Sequence, residues 1–131
     1  MAEYILVVIA DAAMRDAIYS IVKEAGYPVS QLGRLEDVGE ETTIVSALQQ
    51  YALLLMDVEN IRSAHLVDFL RHKQRNVRPY ILVIFRDHEY KGAINDNVVY
   101  NAVNHFISIP FHAEEIRGNL ERYMGKRGPR S

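Results

Sequence analysis

ALLLMD, residues 52–57, is five apolar residues closed by one acid. A surface helix would interrupt such a run every third or fourth residue, and a half-exposed strand every second. This run does neither, so it reads as a short strand buried on both faces. Working outward, YILVVIA at residues 4–10 has the same character and is followed by Asp11. YILVIF at residues 80–85 repeats it after Pro79. Strands of this kind belong to parallel sheets covered by helices on both sides.

The intervening segments supply the helices. Met14, Ala17, Ile18, Ile21, Val22 and Ala25 recur at helical spacing and make one apolar stripe. Asp11 is placed to cap that helix, Gly26 to close it and Pro28 to prevent its continuation. Residues 29–32 read as a second short strand and residues 33–39 as a polar loop. Residues 40–50 read as a weaker helix with Ile44, Val45 and Leu48 inward. Further helices are expected at residues 63–74, with Leu66, Phe69 and Leu70 inward, and at residues 91–103. A short strand at residues 106–109 is closed by Pro110. Residues 112–124 form a last helix with Ile116, Leu120, Tyr123 and Met124 on one face. The alternation predicts an α/β fold: a doubly wound, five-stranded parallel sheet with helices on both faces and right-handed crossovers. One domain spans residues 1–124, and residues 125–131 read as a tail or the start of a linker, as in a domain cut from a larger regulator. In such a sheet ligands sit beyond the carboxyl ends of the strands, which directs attention to Asp11, Asp57, residues 85–87 and residues 109–110.

Composition narrows the function classes. In 131 residues, 49% are apolar, enough for a core, and 24% are charged, so disorder is not expected. The net charge is −2 and the only basic cluster is Lys126, Arg127 and Arg130, which argues against a nucleic-acid partner. There is no cysteine for a disulfide, thiolate nucleophile or zinc site. No apolar run reaches membrane-spanning length, and no basic segment precedes one at the amino end, so a cytoplasmic protein with no membrane partner is expected. His65, His72, His88, His105 and His112 form no HExxH pattern. His112 reads as a helix cap or surface residue, and Asp87 beside His88 as a turn. No nucleophile elbow or glycine-rich phosphate loop is present, so no enzymatic activity is expected.

The strand ends carry a resemblance. ILVVIADAAMRDAIYSIVKEAGY, ALLLMDV, RPYILVIFRD and HFISIPFHAEEIRGNL resemble, in order, the first β-α unit and the third, fourth and fifth strands of response-regulator receiver domains, the CheY-like family of flavodoxin-like fold. The resemblance covers nearly the whole chain and implies a two-component, phosphorelay context. It places Asp57 at the phosphoacceptor position. It places the metal-holding acidic pair on Ile9 and Ala10, the hydroxyl position on Ile84, the following small residue on Phe85 and the lysine on Ile109. The proline-glycine loop after the aspartate is replaced by Asn60, Ile61, Arg62 and Ser63. The family implies a cis bond at Ile109–Pro110, whereas X-Pro bonds in general favour trans.

Aspartyl phosphorylation is mostly positioning and charge neutralisation, much of it by a divalent metal. Magnesium is normally held by one or two carboxylates, and Ile9 and Ala10 offer none. Ile84 offers no hydroxyl and Ile109 no cation. The expectation is an atypical, degenerate receiver: a signalling and protein-interaction module independent of phosphorylation, with no cofactor. Apolar Ile84, Phe85 and Ile109 either fill the space of the phosphoryl group and metal, locking one conformation, or simply extend the core. Its partner is a protein or a second copy, docking on the last helix-strand-helix face with Tyr100, Phe106 and Tyr123, where Tyr100 reads equally as interface or core. Two alternatives compete. One is a phosphorylatable receiver in which Asp11 and Asp57, assisted by Glu59, hold Mg2+ weakly. The other is a flavodoxin-like small-molecule-binding protein or enzyme. For Asp11 the competing role is the helix cap. For Asp57 it is an acid at a strand terminus bonded to loop amides, and for Glu59 a solvated loop charge.

Overall fold

The structure is a computed structural model, and it describes residues 4–38, 51–64, 66, 67, 70, 79–86 and 97–125. Five strands form one sheet: β1 (Tyr4–Val8), β2 (Val29–Leu32), β3 (Tyr51–Asp57), β4 (Tyr80–Phe85) and β5 (His105–Ser108). Every pairing is parallel and the order is β2-β1-β3-β4-β5. The expected doubly wound sheet is therefore observed. Among the described residues the helices are α1 (Ala12–Glu24), a single turn α2 (Val58–Ile61), α3 (Asn97–Ala102) and α4 (Ala113–Met124), and residues 64, 66, 67 and 70 are also helical.

Side chains alternate across a strand, so each central strand feeds two cores. Ile5, Val7, Leu53, Leu55, Leu82, Ile84 and Ile107 pack with Ile18 and Val22 of α1 and Ile116 and Leu120 of α4. Leu6, Val8, Leu54, Met56, Ile81, Val83 and Phe85 pack on the opposite face with Val58 and Ile61 of α2, Val99 of α3, and Leu66 and Leu70. Complete burial of a leucine or isoleucine is worth about 2 kcal/mol, which is why uninterrupted apolar strands settle between two helical layers.

Local signals act as the sequence implies for α1. Asp11 is its cap, with Oδ2 accepting the Met14 N–H at 2.8 Å. Gly26 follows with φ 97°, a left-handed conformation that suits glycine at a helix exit. Ile109–Pro110 is cis, as the family resemblance implies.

Four expectations change. Within residues 33–39 a 3-10 turn forms (Leu35–Val38), because Leu35 is drawn completely into the core from a polar stretch. A turn of helix, α2, begins directly after Asp57, ahead of the helix expected from residue 63. The last strand starts and ends one residue early, at His105–Ser108. Tyr100 and Phe106 pack against one core and Tyr123 against the other, on opposite sides of edge strand β5, so they share no single face. The helix expected at residues 40–50 lies outside the described residues, as do Phe69, residues 71–74, residues 91–96, Asp87 and His88.

Candidate functional site

The carboxyl ends of β1, β3, β4 and β5 surround an open hollow of about 120 Å³. Its polar lining is Asp11, Asp57, Glu59 and Arg86, and its apolar lining is Ala10, Met14, Ile84 and Ile109. The three acids named from the sequence thus meet at one place.

Parallel strands end where they do because the next residues change character. Asp57 closes β3 and caps α2, so its carboxylate is fixed by the turn that follows. Its Oδ1 accepts the Asn60 N–H at 3.0 Å and the Asn60 Nδ2–H at 2.9 Å. Its Oδ2 accepts the Ala10 N–H at 2.8 Å. Both oxygens are therefore engaged by neighbouring N–H groups, the role of an acid at a strand terminus. Asp11 spends Oδ2 on its cap bond. Glu59 is exposed on the first turn of α2.

The five substituted positions separate. Ala10, Ile84 and Ile109 line the hollow. Ile9 is completely buried with the α1–α4 core, and its N–H donates to Leu32 O at 3.0 Å. Phe85 lies in the opposite core, edge-on to Phe106 with ring centroids 6.1 Å apart. Of the two readings for Phe85, it extends the core and does not line the hollow; alternation along β4 sends it to the other face from Ile84. His112 stands at the cap position of α4 without a side-chain cap bond.

Two residues were not singled out by the sequence. Asn60 is 3% exposed, and its side chain bonds Leu35, Gly33 and Val8 besides Asp57. The available signal was D-x-x-N after a strand, a local capping pattern. Arg15 donates from Nη1 to Ile9 O at 2.9 Å, satisfying the carbonyl that follows β1.

No family model matches the sequence, and no curated protein matches it. Solved structures do resemble it. The receiver domain of a sensor histidine kinase from Pseudomonas aeruginosa, with a magnesium ion coordinated in its active site cleft, is 20% identical with a TM-score of 0.69 over 96% of this chain and 100% of that one. A response regulator receiver protein from Burkholderia phymatum is 16% identical with a TM-score of 0.69, covering 97% of this chain and 98% of that one. NtrX from Brucella abortus, in complex with ADP, is 19% identical with a TM-score of 0.68 over 95% of this chain, which spans 26% of NtrX. The chain has the fold of a response-regulator receiver domain.

The residues that the resemblance places at the metal position do not fit magnesium. The ion requires near-octahedral oxygen donors. Here Asp57 offers two oxygens already holding N–H groups, Asp11 has one oxygen similarly engaged, and Ile9 and Ala10 offer no side-chain donor. Among the described residues no group of three or more histidines, aspartates or glutamates is arranged to hold a metal ion. Also among the described residues, no helix is long and apolar enough to cross a membrane.

Proposed function

We propose that this chain is an atypical receiver domain that signals through protein contacts without phosphoryl transfer at Asp57. The observation that carries the reading is the apolar lining beside Asp57, where Ala10, Ile84 and Ile109 stand at positions for which the resemblance implies an acid, a hydroxyl and a lysine. An acceptor has to present an oxygen to the incoming phosphorus with positive charge beside it. Ile84 and Ile109 line the hollow where the resemblance places the hydroxyl and the lysine, and the cation that lines it is Arg86, on the residue after β4. Losing hydroxyl, lysine and metal ligands together removes the groups that would stabilise the transferring phosphoryl, and such losses act as a unit.

The module is non-enzymatic and cytoplasmic in this reading, and its partner is a protein or a second copy. Edge strand β5, with Tyr100 and Phe106 half-buried on one side and Tyr123 on the other, is the surface proposed for docking. Light scattering across a concentration series reads self-association directly.

The gathering of Asp11, Asp57 and Glu59 at one hollow favours the second reading, an unusual but working receiver. Intact mass after incubation with acetyl phosphate and magnesium separates the two, with Asp57→Asn run beside it. No adduct on the folded protein is expected. A phosphate adduct absent from Asp57→Asn would overturn the phosphorylation-independent reading.

A further inference from the structure

Asn60 is a buried amide that joins parts of the chain far apart in sequence. A carboxamide offers one accepting oxygen and two donor hydrogens, and a buried one has to use them. Asn60 Oδ1 accepts the Leu35 N–H at 2.9 Å. Its Nδ2 donates to Asp57 Oδ1 at 2.9 Å, to Gly33 O at 3.1 Å and, more weakly, to Val8 O at 3.3 Å. Asp57 extends the chain of bonds by accepting the Ala10 N–H on its other oxygen. The Asp57–Asn60 pair therefore connects the loop after β1, the exit of β2, the 3-10 turn and the end of β3.

We propose that Asp57 and Asn60 work as one latch, coupling the rim of the hollow at Ala10 to the connection after edge strand β2 at Leu35. Hydrogen bonds in a chain orient one another, and Asp57 Oδ1 fixes the Asn60 carboxamide whose other end holds Leu35. Whatever takes an Asp57 oxygen, whether a cation, a partner's donor group or a modification, releases Ala10 directly. It also loosens Leu35 through Asn60. The hollow thereby communicates with the opposite side of β1, and the latch is the two-state element that both places bias. This inference rests on the bonds themselves and holds whether or not Asp57 accepts phosphate.

The test is amide hydrogen exchange by NMR on the full chain with no phosphodonor present, so that its outcome is independent of the mass measurement. The Ala10 N–H reports on Asp57 and the Leu35 N–H on Asn60. The decisive readings are the crossed ones, each normalised to the Leu54 amide in the sheet. Alanine in place of Asp57 leaves no accepting oxygen for either Ala10 or Asn60. In Asp57→Ala, Leu35 is expected to exchange about tenfold faster, the scale of one hydrogen bond's net free energy. In Asn60→Ala, Ala10 is expected to accelerate similarly. Acceleration of only the amide that each altered residue itself holds would overturn the latch and leave two separate local bonds. Should Asn60→Ala fail to fold, Asp57→Ala decides alone, since Leu35 does not bond Asp57 and an unchanged Leu35 would be enough to reject coupling.

Discussion

Both ends of the sheet are closed by an asparagine, and solvent makes the two unequal. At the carboxyl end, Asn60 is 3% exposed and holds Leu35, Gly33, Val8 and Asp57. At the amino end, Asn104 is exposed. Its Oδ1 accepts the Ile81 N–H at 2.8 Å, its N–H donates to Ile81 O at 2.8 Å, and its carbonyl accepts the Tyr123 hydroxyl at 3.0 Å. The chemistry is the same: an amide completes bonds that the strand ladder leaves open. The difference is what replaces the amide when it is lost. Water takes the place of Asn104, whereas the partners of Asn60 are left unsatisfied, and an unsatisfied buried group costs far more than a bond exchanged with solvent.

The largest expected effect follows from that asymmetry. Asn60→Leu fills the volume and removes every side-chain bond, leaving the Leu35 N–H and the Gly33 carbonyl without their partner. Unfolding free energy should fall by about 3 kcal/mol, read from urea midpoints at unchanged slope. A loss below about 1 kcal/mol would mean that water already reaches these groups.

Asp57→Ala comes next, and its sign matters more than its size. As a cap and a double acceptor, Asp57 contributes about 1–2 kcal/mol, so its removal should destabilise the chain. The rival picture makes Asp57 one of three mutually repelling acids with Asp11 and Glu59, and deleting one charge would then relieve repulsion and stabilise. A rise in the urea midpoint would therefore break the latch picture and restore the metal-dependent reading.

The same asymmetry explains what the sequence made legible. The strands read at residues 52–56, 4–10 and 80–85 were readable because burial on both faces leaves no room for polar residues, although the first runs one residue further at each end and the second stops at Val8. The Asp11 cap and the Gly26 exit were readable because their bonds and dihedrals are local. Asp57 was found through its place at a strand end and its family resemblance. Asn60 was named only as part of a replaced loop, since its importance comes from Val8, Gly33 and Leu35, which lie 25 to 52 residues away. Leu35 was hidden for the same reason: a polar neighbourhood gives no sign that one leucine turns inward. Phe85 and Ile84 were treated alike, although the pleat sends them to opposite cores.

Asn104→Ala is the control for the comparison, with an expected loss of about 1 kcal/mol by urea denaturation. A loss equal to that of Asn60→Leu would show that tying β4 to β5 matters as much as burial, and that solvent does not set the difference between the two ends.

Tyr27 gives the smallest effect and carries burial to the amino end. It is nearly fully buried, and its hydroxyl donates to Gly125 O at 2.9 Å, joining the exit of α1 to the exit of α4. Burial, and then the negative charge of Glu121, push its pKa above the ordinary 10.0. A raised pKa in the folded state means that the neutral hydroxyl is favoured there, so the contribution is complete below pH 10 and is lost as pH rises through the folded value. Tyr27→Phe should therefore cost about 0.5 kcal/mol at neutral pH, where one hydrogen bond is missing. Above about pH 10 the unfolded chain ionises this tyrosine first, so the native protein loses stability that the phenylalanine variant does not. The gap between the two unfolding curves should close with rising pH. A gap that stays constant would mean that the ring ionises as readily in the fold as outside it, and that a hydroxyl bonded to a main-chain carbonyl at this end is as open to water as Asn104.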